Sequence, residues 1–360
     1  MVETAGETRV PEAPGEARVL ADAAQDRAIG WAPGAGNLVV LGAPGTGKTR
    51  VAVELAVRRA LAVPRASWSE PTGGVMLLVP DRRRADRLGD TLEIRLAGTG
   101  AAVEVRTPVA LAFQLVARSL TARGEPDPTL MSGPDVDAAL ADLLEGHRAG
   151  AGARPDWPAA IPPETLELPA FRAELRDLLT RAAELGVGPE DLAEFARDVR
   201  RPEWAAAAAV LGEYRDVMEL ADRSSGRGRR LDHARILAES ATLLHYWEQD
   251  VGADVPRPAW SLVVVDDYQD ATPAVAHLLR VLVSGGTQVV LVGDPDTAVQ
   301  QFRGGRAHLL GEALGTAAPH GFGAEAIRLG TCYRGTPELR DATRAVTALV
   351  RPTLAGVAHR

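Results

Sequence analysis

The sequence predicts an α/β fold in which a parallel β-sheet, covered by helices, is interrupted by an all-helical segment. Short runs of β-branched and aliphatic residues recur along the chain, and each is followed by a helix-like stretch. Unbroken apolar runs suit strands that are buried on both faces, as in a doubly wound parallel sheet. Between about residues 121 and 255 this alternation gives way to a sequence rich in Ala, Leu, Glu and Arg, which favours helices.

The elements of the sheet and its covering layers can be assigned in chain order. Strand and helix alternate both before and after the helical segment, so both parts are expected to belong to one α/β domain. Strands are expected at residues 37–41, 75–79, 103–105, 262–265 and 289–292. Helices are expected at residues 48–61, 82–96, 108–120 and 273–283.

The predicted organisation has four parts. Residues 1–20 are acidic and rich in Pro and Gly, and are expected to form a flexible lead-in. Residues 21–120 and 231–360 are expected to form the two parts of the α/β domain, with residues 121–230 as a helical insertion. Within the insertion, apolar side chains recur at the spacing of one helix face, at Phe171, Leu175, Leu178 and Leu179.

Composition narrows the class of protein. The net charge of −8 gives no overall basic field, so any nucleic-acid binding must come from local patches. The single cysteine, Cys332, excludes an internal disulfide and a multi-cysteine metal site. No stretch reaches the roughly 18 consecutive apolar residues of a membrane span, and the N-terminus has no apolar signal core. A cytoplasmic chain without membrane contact is therefore expected.

The segment GAPGTGKT, after the first expected strand, fits the phosphate-loop pattern G-x-x-x-x-G-K-[ST]. Glycines let backbone N–H groups approach a phosphate, and the N-terminus of the following helix favours negative charge. Lys48 is expected to reach the β- and γ-phosphates of ATP, and the Thr49 hydroxyl to ligate Mg²⁺. The alternative is a Gly-rich turn that carries Lys and Thr by chance. The residues expected to hold the nucleotide are Gly42, Ala43, Pro44, Gly45, Thr46, Gly47, Lys48 and Thr49.

Two adjacent carboxylates follow a later expected strand, in VVVDDYQD. Buried charge is costly unless it is paired or metal-bound, so the pair indicates a metal–phosphate site. Asp266 is expected to hold Mg²⁺, and Asp267 to orient or deprotonate the attacking water. Gln269 is expected to hydrogen-bond that water or the γ-phosphate. A turn or a helix cap is the structural alternative for such a pair of residues.

The order of these segments resembles that in the N-terminal motor domain of UvrD/Rep/PcrA-like superfamily 1 DNA helicases. AAQDRAIGW precedes the phosphate loop, and VGDPDTAVQQFRGG and LGTCYRGTPEL follow the acid pair, as in that family. The resemblance implies a RecA-like fold, with Gln25 at the adenine edge, Tyr333 stacked on adenine and Arg334 at the γ-phosphate. The insertion is similar to that of the actinobacterial AdnA-like branch, whose members pair with a partner motor in DNA-end resection.

Two weaker likenesses, LLVPDRRRADRL and VRTPVALAF, fall where the family contacts single-stranded DNA. The arginines at 82, 83, 84 and 87 are candidates to bind phosphates there, although such a run is also typical of a solvated helix face. Phe302 is expected to stack on a base, with a core position as the alternative. The residues that the resemblance assigns to strand binding are Arg82, Arg83, Thr107, Phe302 and Arg303.

Four positions depart from the family pattern. Asp267 stands where the family has Glu, Thr297 where it has Gln, Gln300 where it has Tyr, and Cys332 where it has Asn. The shorter carboxylate implies that ATP binds but that hydrolysis is attenuated, since a misplacement of about 1 Å costs roughly a hundredfold in rate. The family's later segments are not found in the sequence, so a second RecA-like domain is expected to come from another motor domain or a partner helicase or nuclease subunit.

Three functions are compatible with these residues. The first is the ATP-binding motor domain of a UvrD-like DNA helicase, which couples Mg-ATP hydrolysis to single-stranded DNA binding and translocation in repair or recombination. The second is a catalytically weakened ATP-binding module that stabilises a partner helicase–nuclease complex. The third is a small-molecule or nucleotide kinase, which is disfavoured because no acceptor-binding segment is evident. DNA-stimulated ATP turnover distinguishes the first function from the second.

Overall fold

A six-stranded parallel β-sheet forms the centre of the computed structural model. The structure describes residues 22–62, 74–152, 154–225, 228–300, 304–317 and 319–347. In chain order the strands are β1 (Leu38–Gly42), β2 (Val75–Leu78), β3 (Glu104–Arg106), β4 (Thr129–Leu130), β5 (Arg230–Leu231), β6 (Leu262–Val265), β7 (Gln288–Gly293) and β8 (Glu325–Leu329). Six strands form the sheet in the order β3-β2-β6-β7-β1-β8 with all neighbours parallel, and β4 pairs with β5 apart from it.

Helices cover both faces of this sheet, so the expected α/β fold is confirmed. The elements expected from sequence form within two residues of their expected bounds. In chain order the helices are α1 (Ala23–Ile29), α2 (Lys48–Ala62), α3 (Arg82–Leu96), α4 (Pro108–Ala122), α5 (Gly133–Arg148), α6 (Pro169–Glu184), α7 (Pro189–Asp198), α8 (Pro202–Ser225), α9 (His233–His245), α10 (Trp247–Asp250), α11 (Pro273–Ser284), α12 (Leu309–Glu312) and α13 (Pro337–Thr347). Short 3₁₀ turns occur at Pro163–Glu167, Tyr268–Asp270 and Pro295–Thr297.

Strand β8 is not predicted by the apolar runs. It lies at the edge of the sheet and pairs with β1 on one side only. Its sequence, EAIRL, buries Ile327 and Leu329 and exposes the other three side chains. A strand with one solvated edge has no need of the continuous apolar run by which the central strands are recognised.

Side chains of the central strands alternate between two apolar layers. In β1, Val39 and Leu41 pack with α4, α9 and α11 on one face of the sheet. Leu38 and Val40 pack with α1, α2 and α3 on the other face. Because the side-chain period of a strand is two, burial on both faces fixes the register of each strand. The carboxyl ends of β1, β7 and β6 consequently lie side by side at one edge of the sheet.

The helices α5 to α8 enclose an apolar cluster of their own. Leu175 and Leu179 are buried in this cluster, and Phe171 and Leu178 pack against it, as the helical spacing predicts. The short strands β4 and β5 pair where the chain enters and leaves this segment. Among the described helices, none combines the length and apolar composition that crossing a bilayer requires.

Asn37 contacts β7 and the segment that leads into β8. It lies at the amino end of β1, opposite the edge where β1, β7 and β6 end. Its Nδ2 donates a hydrogen bond to the Phe322 carbonyl at 2.9 Å, just before β8. Its Oδ1 accepts from the Val289 N–H at 2.9 Å, at the start of β7. Its own carbonyl accepts from the Glu325 N–H at 3.0 Å. The Asn37 side chain therefore adds to the β1–β8 ladder in holding the edge strand.

Replacing Asn37 by Ala should lower the free energy of unfolding by about 1–3 kcal/mol, because the Val289 N–H and the Phe322 carbonyl both lose their partner. Urea unfolding followed by circular dichroism measures this loss. A decrease smaller than about 0.5 kcal/mol would contradict the role given to this side chain.

Candidate functional site

The phosphate loop connects β1 to α2, and its backbone requires glycine at two positions. Gly45 and Gly47 have φ angles of 85° and 83°, in the left-handed region. Space is also restricted at Gly45, because a Cβ there would lie 2.7 Å from Arg334 Cβ and 3.0 Å from Cys332 Sγ. The loop therefore keeps the bare backbone that close approach to an anion requires.

Lys48 lies in the first turn of α2 and folds back over the loop. Its Nζ donates to the Gly42 carbonyl at 2.8 Å and to the Ala43 carbonyl at 3.2 Å. Burial lowers the pKa of Lys48, while the carboxylates at the ends of β6 and β7 oppose that shift. The Lys48 ammonium therefore lies beside the phosphate loop, and its contact with the β- and γ-phosphates stays a prediction.

Asp266 lies at the end of β6, directly beside the phosphate loop. Its Oδ2 accepts a hydrogen bond from Thr49 Oγ1 at 2.8 Å, and its side chain is fully buried. Burial first, and then the charge of Asp267, raises the pKa of Asp266 to about 6. Among the described residues, its Oδ1 has no hydrogen-bond partner. A buried carboxylate with a free oxygen beside a hydroxyl is a donor set that Mg²⁺ accepts, so these two residues fit the metal.

Asp267 follows with a left-handed backbone, at φ 54° and ψ 44°. This conformation is uncommon outside glycine, although aspartate tolerates it better than most residues. Gln269 Nε2 donates to Asp267 Oδ1 at 3.1 Å, and the Asp294 N–H donates to Gln269 Oε1 at 3.1 Å. The buried amide of Gln269 thus joins the ends of β6 and β7. Its contact with water or with the γ-phosphate stays a prediction.

Arg84, in the first turn of α3, contacts the acid pair. Its Nη1 donates a hydrogen bond to Asp267 Oδ2 and lies 3.8 Å from Asp266 Oδ2. Burial would lower the pKa of Arg84, but the hydrogen bond to Asp267 and the charges of the neighbouring carboxylates together outweigh it, so the pKa is raised. Sequence patterns do not predict this contact, because the two residues are 183 positions apart and each lies in a motif of its own.

Gln25 and Tyr333 lie on the other side of the phosphate loop. Gln25 is completely buried, and its Nε2 donates to the Thr46 carbonyl at 2.8 Å. The Tyr333 N–H donates to the Gly45 carbonyl at 2.9 Å, and its side chain is 37% exposed. Arg334 is exposed next to the same glycine. The structure thus brings all three residues to the loop, while their contacts with adenine and the γ-phosphate stay predictions.

Asp22 lies between the segment that carries Gln25 and the segment that carries Tyr333. The sequence patterns do not predict it as a site residue. It caps α1 by accepting from the N–H groups of Ala24 and Gln25 at 3.1 and 2.8 Å. The side chains of Thr331 and Tyr333 lie close enough to its carboxylate to lower its pKa. Burial would raise the pKa of Asp22, but these contacts together hold it below its usual value. The helix cap is visible in the sequence as an Asp before a helical run, whereas the contact with Tyr333 is not.

A groove of about 1610 Å³ runs from the acid pair along α3, α4 and α6. Arginines from three elements line it: Arg82 of α3, Arg106 of β3, and Arg176 and Arg181 of α6. The carboxylates of the acid pair also line it, so the groove and the phosphate-loop site are continuous.

The residues predicted to bind a DNA strand have different positions relative to this groove. Arg82 and Thr107 line it, and the Thr107 hydroxyl also caps α4 by accepting from the Ala110 N–H at 3.2 Å. Arg83 is exposed on the same turn as Arg82. Phe302 and Arg303 lie outside the described residues, so their predicted roles are not addressed by the structure.

Asp270 attaches the acid segment to the loop that follows β7. Its Oδ1 accepts from the N–H groups of Val299 and Gln300 at 2.9 and 3.0 Å. In the same loop, Thr297 Oγ1 donates to the Asp294 carbonyl at 3.1 Å, so this short side chain is used locally. Asp270, three residues after Asp267, therefore fixes the loop that follows β7 relative to the acid pair.

Comparison with known proteins identifies relatives of this chain. A sequence model of the UvrD/REP helicase N-terminal domain matches residues 22–316. The RecBCD enzyme subunit RecB of Mycobacterium tuberculosis (strain H37Rv) is 34% identical over 117 residues, which are 32% of this chain and 11% of that protein. RecB of Mycolicibacterium smegmatis is 29% identical over 237 residues, 65% of this chain and 20% of that protein. The ATP-dependent DNA helicase UvrD2 of Mycobacterium bovis is 27% identical over 171 residues, 47% of this chain and 23% of that protein. The chain thus spans less than a quarter of the length of these relatives.

Replacing Gly45 by Ala should disturb the phosphate loop more than its backbone angle alone requires. The added Cβ strains a left-handed residue by about 1–2 kcal/mol and also displaces the segment that carries Cys332 and Arg334. Gly36→Ala is the matched control, because Gly36 has a φ of 87° and open space around its Cβ position. Urea unfolding and ATP-analogue binding should both be affected more by Gly45→Ala. Equal effects of the two substitutions would contradict the packing of that segment on the loop.

Glu184, in the wall of the groove, gives a prediction for the pH dependence of stability. It is half-buried against Gly304, and burial raises its pKa from 4.5 to about 7, with Arg181 and Arg306 opposing the shift. Between these two values the folded chain keeps a proton that the unfolded chain has released. The stability that this proton contributes is therefore present below pH 4.5 and is lost as the pH rises through about 7.

Glu184→Gln removes this titration and should be more stable than the parent at pH 8, on the order of 1 kcal/mol after solvent screening is allowed for. The difference should vanish well below pH 4.5, where the parent carboxyl is protonated in both states. Glu174→Gln, on the exposed face of α6, serves as the control. A pH-independent difference between Glu184→Gln and the parent would show that burial does not shift this carboxyl.

Proposed function

We propose, because this chain belongs to the UvrD/REP helicase family, that its α/β domain binds Mg·ATP and couples ATP hydrolysis to the binding of a single DNA strand. The observation that carries this proposal is the hydrogen bond between Thr49 and Asp266, whose positions are 217 residues apart. It joins the phosphate loop to the acid pair at the carboxyl edge of a parallel sheet, where α/β folds bind their ligands.

The phosphate loop would hold the nucleotide through backbone and charge. The N–H groups between Gly42 and Thr49 and the N-terminus of α2 would contact the β-phosphate, and Lys48 would move from the loop carbonyls to the phosphates. Thr49 and Asp266 would hold Mg²⁺, which when bound neutralises charge on the β- and γ-phosphate oxygens. Tyr333 and Gln25 would contact the adenine.

Asp267 is the proposed general base of hydrolysis. It would accept a proton from the attacking water as the water oxygen bonds to the γ-phosphorus. The bond from that phosphorus to the β–γ bridging oxygen would break at the same time, which leaves ADP and inorganic phosphate. Gln269 would orient the carboxylate of Asp267 through the hydrogen bond to its Oδ1.

The groove beside the acid pair is the proposed path of the DNA strand. Arg82 from α3 and Arg106 from β3 line it on the sheet side, and Arg176 and Arg181 line it from α6. Guanidinium groups from separate elements can follow successive phosphates of one strand, which positions a strand without selecting a sequence. Motor action in repair or recombination, together with a second motor domain or a partner subunit, is proposed from the likeness to RecB and UvrD2.

A second candidate function is an ATP-binding subunit that hydrolyses slowly and stabilises a partner helicase–nuclease complex. The contact between Arg84 and Asp267 favours it, because a carboxylate oxygen that already accepts a hydrogen bond from a guanidinium is less open to the attacking water. Tight ATP binding that depends on Lys48, without turnover in the presence of DNA, would be its signature.

Lys48→Ala should reduce ATP turnover by about a hundredfold or more, because the cation at the transferred phosphate is lost. Turnover of the parent chain should rise when single-stranded DNA is added. Arg58→Ala, exposed on the same helix, is the control and should leave both rates unchanged. Phosphate release with and without an oligothymidylate measures these rates. Turnover that survives Lys48→Ala in a folded chain would contradict the proposed site.

A further inference from the structure

Arg84 lies between the acid pair and the groove. It occupies the first turn of α3, where its N–H donates to Asp81 Oδ1 at 2.9 Å. Its side chain is 33% exposed, and it lines the groove together with Arg82. Among the described residues, its guanidinium hydrogen-bonds to Asp267 alone. A guanidinium has five N–H donors, so Arg84 has the capacity to bind a second anion from the groove side.

Both carboxylate oxygens of Asp267 accept hydrogen bonds. Oδ2 accepts from Arg84, and Oδ1 accepts from Gln269, so each carboxylate oxygen already has a donor. Donors on both oxygens restrain the carboxylate and occupy the positions from which it would accept a hydrogen bond from the attacking water. Arg84 also lies 3.8 Å from Asp266 Oδ2, where its charge opposes the approach of a divalent cation.

A nucleic-acid strand offers Arg84 an alternative partner. Phosphate oxygens bind arginine through the same charge-assisted hydrogen bonds as a carboxylate, and often in a bidentate geometry. Arg82 and the N-terminus of α3 favour an anion at this position, while the carboxylates of Asp81, Asp86 and the acid pair oppose it. Moving the guanidinium from Asp267 to a phosphate exchanges one ionic partner for another, so the guanidinium is not left without a counter-charge.

We propose, on the basis of the function proposed above, that Arg84 is a positioning residue that restrains Asp267, and that a single DNA strand in the groove releases this carboxylate by binding the guanidinium. DNA then stimulates hydrolysis by freeing the base, in addition to any effect on the nucleotide itself. The pair is formed by Asp267 and by an arginine of α3, the helix that also carries the groove-lining Arg82.

Steady-state ATP turnover of Arg84→Ala is the first test. Without DNA its rate should exceed that of the parent by roughly tenfold, and saturating oligothymidylate should stimulate it by a correspondingly smaller factor. Arg84→Lys keeps a cation near Asp267 and should restore part of the DNA dependence. Arg95→Ala is the matched control: Arg95 lies on the same helix as Arg84, pairs with Glu54 of α2 at 2.7 and 2.6 Å, and does not line the groove.

The kinetic outcomes separate the inference from the proposed function. DNA-stimulated, Lys48-dependent turnover of the parent supports the proposed function whatever Arg84→Ala does. An unchanged or lower DNA-free rate in Arg84→Ala, with stimulation intact, overturns the restraint alone. A loss of both rates assigns Arg84 a structural or catalytic part and also overturns the restraint.

A second test needs no turnover and applies equally if hydrolysis is slow. Unfolding of the parent, Arg84→Ala, Asp267→Asn and the double variant gives the coupling between the two side chains. This coupling should be roughly fivefold in the unfolding equilibrium constant without DNA, and should disappear with a saturating oligothymidylate of about 16 nucleotides. If the oligothymidylate binds and the coupling between Arg84 and Asp267 is unchanged, the proposed release of Asp267 is wrong, while the proposed function stands. A parent chain that binds no strand overturns both the release and the DNA-binding part of the proposed function.

Discussion

Burial of the Asp266 carboxylate at the carboxyl end of β6 is the constraint on which the site depends. Removing a carboxylate from water is costly unless hydrogen bonds or cations compensate for the lost hydration. Part of that compensation comes from Thr49, and the neighbouring cations are Lys48 and Arg84. Thr49 and Lys48 reach Asp266 because the parallel sheet ends β1, β7 and β6 side by side, and Arg84 reaches it because β2 ends beside β6. The sheet and its two apolar layers thus serve to bring a phosphate loop and an acid pair together.

From the acid pair, three side-chain contacts extend to other elements. Gln269 joins it to β7, Asp270 holds the loop after β7, and Arg84 joins it to α3 at the groove. Hydrogen bonds thus connect the acid segment directly to β7, to the loop after β7 and to α3. Coupling of nucleotide chemistry to strand binding needs a physical connection of this kind, since two sites affect each other only through differential contacts.

Local sequence patterns predicted most of the fold and the composition of the phosphate loop. The apolar runs identified the central strands, and the glycine–lysine–threonine pattern identified the loop, because both depend on neighbouring residues. The contact of Arg84 with Asp267 and that of Asp22 with Tyr333 could not be predicted, since each joins distant parts of the chain. Strand β8 was not predicted, because a strand at the edge of the sheet does not require a continuous apolar run. Family resemblance supplied roles for residues such as Gln25 that periodicity alone does not indicate.

A crystal structure of the chain with Mg²⁺, a non-hydrolysable ATP analogue and a short oligothymidylate tests the central claim most directly. We expect the analogue's phosphates on the loop from Gly42 to Thr49, with the metal held by Thr49 and Asp266. We also expect the oligonucleotide in the groove, with Arg84 on one of its phosphates and Asp267 released. A nucleotide bound away from the loop, or a metal held without Asp266, would contradict the account of the site.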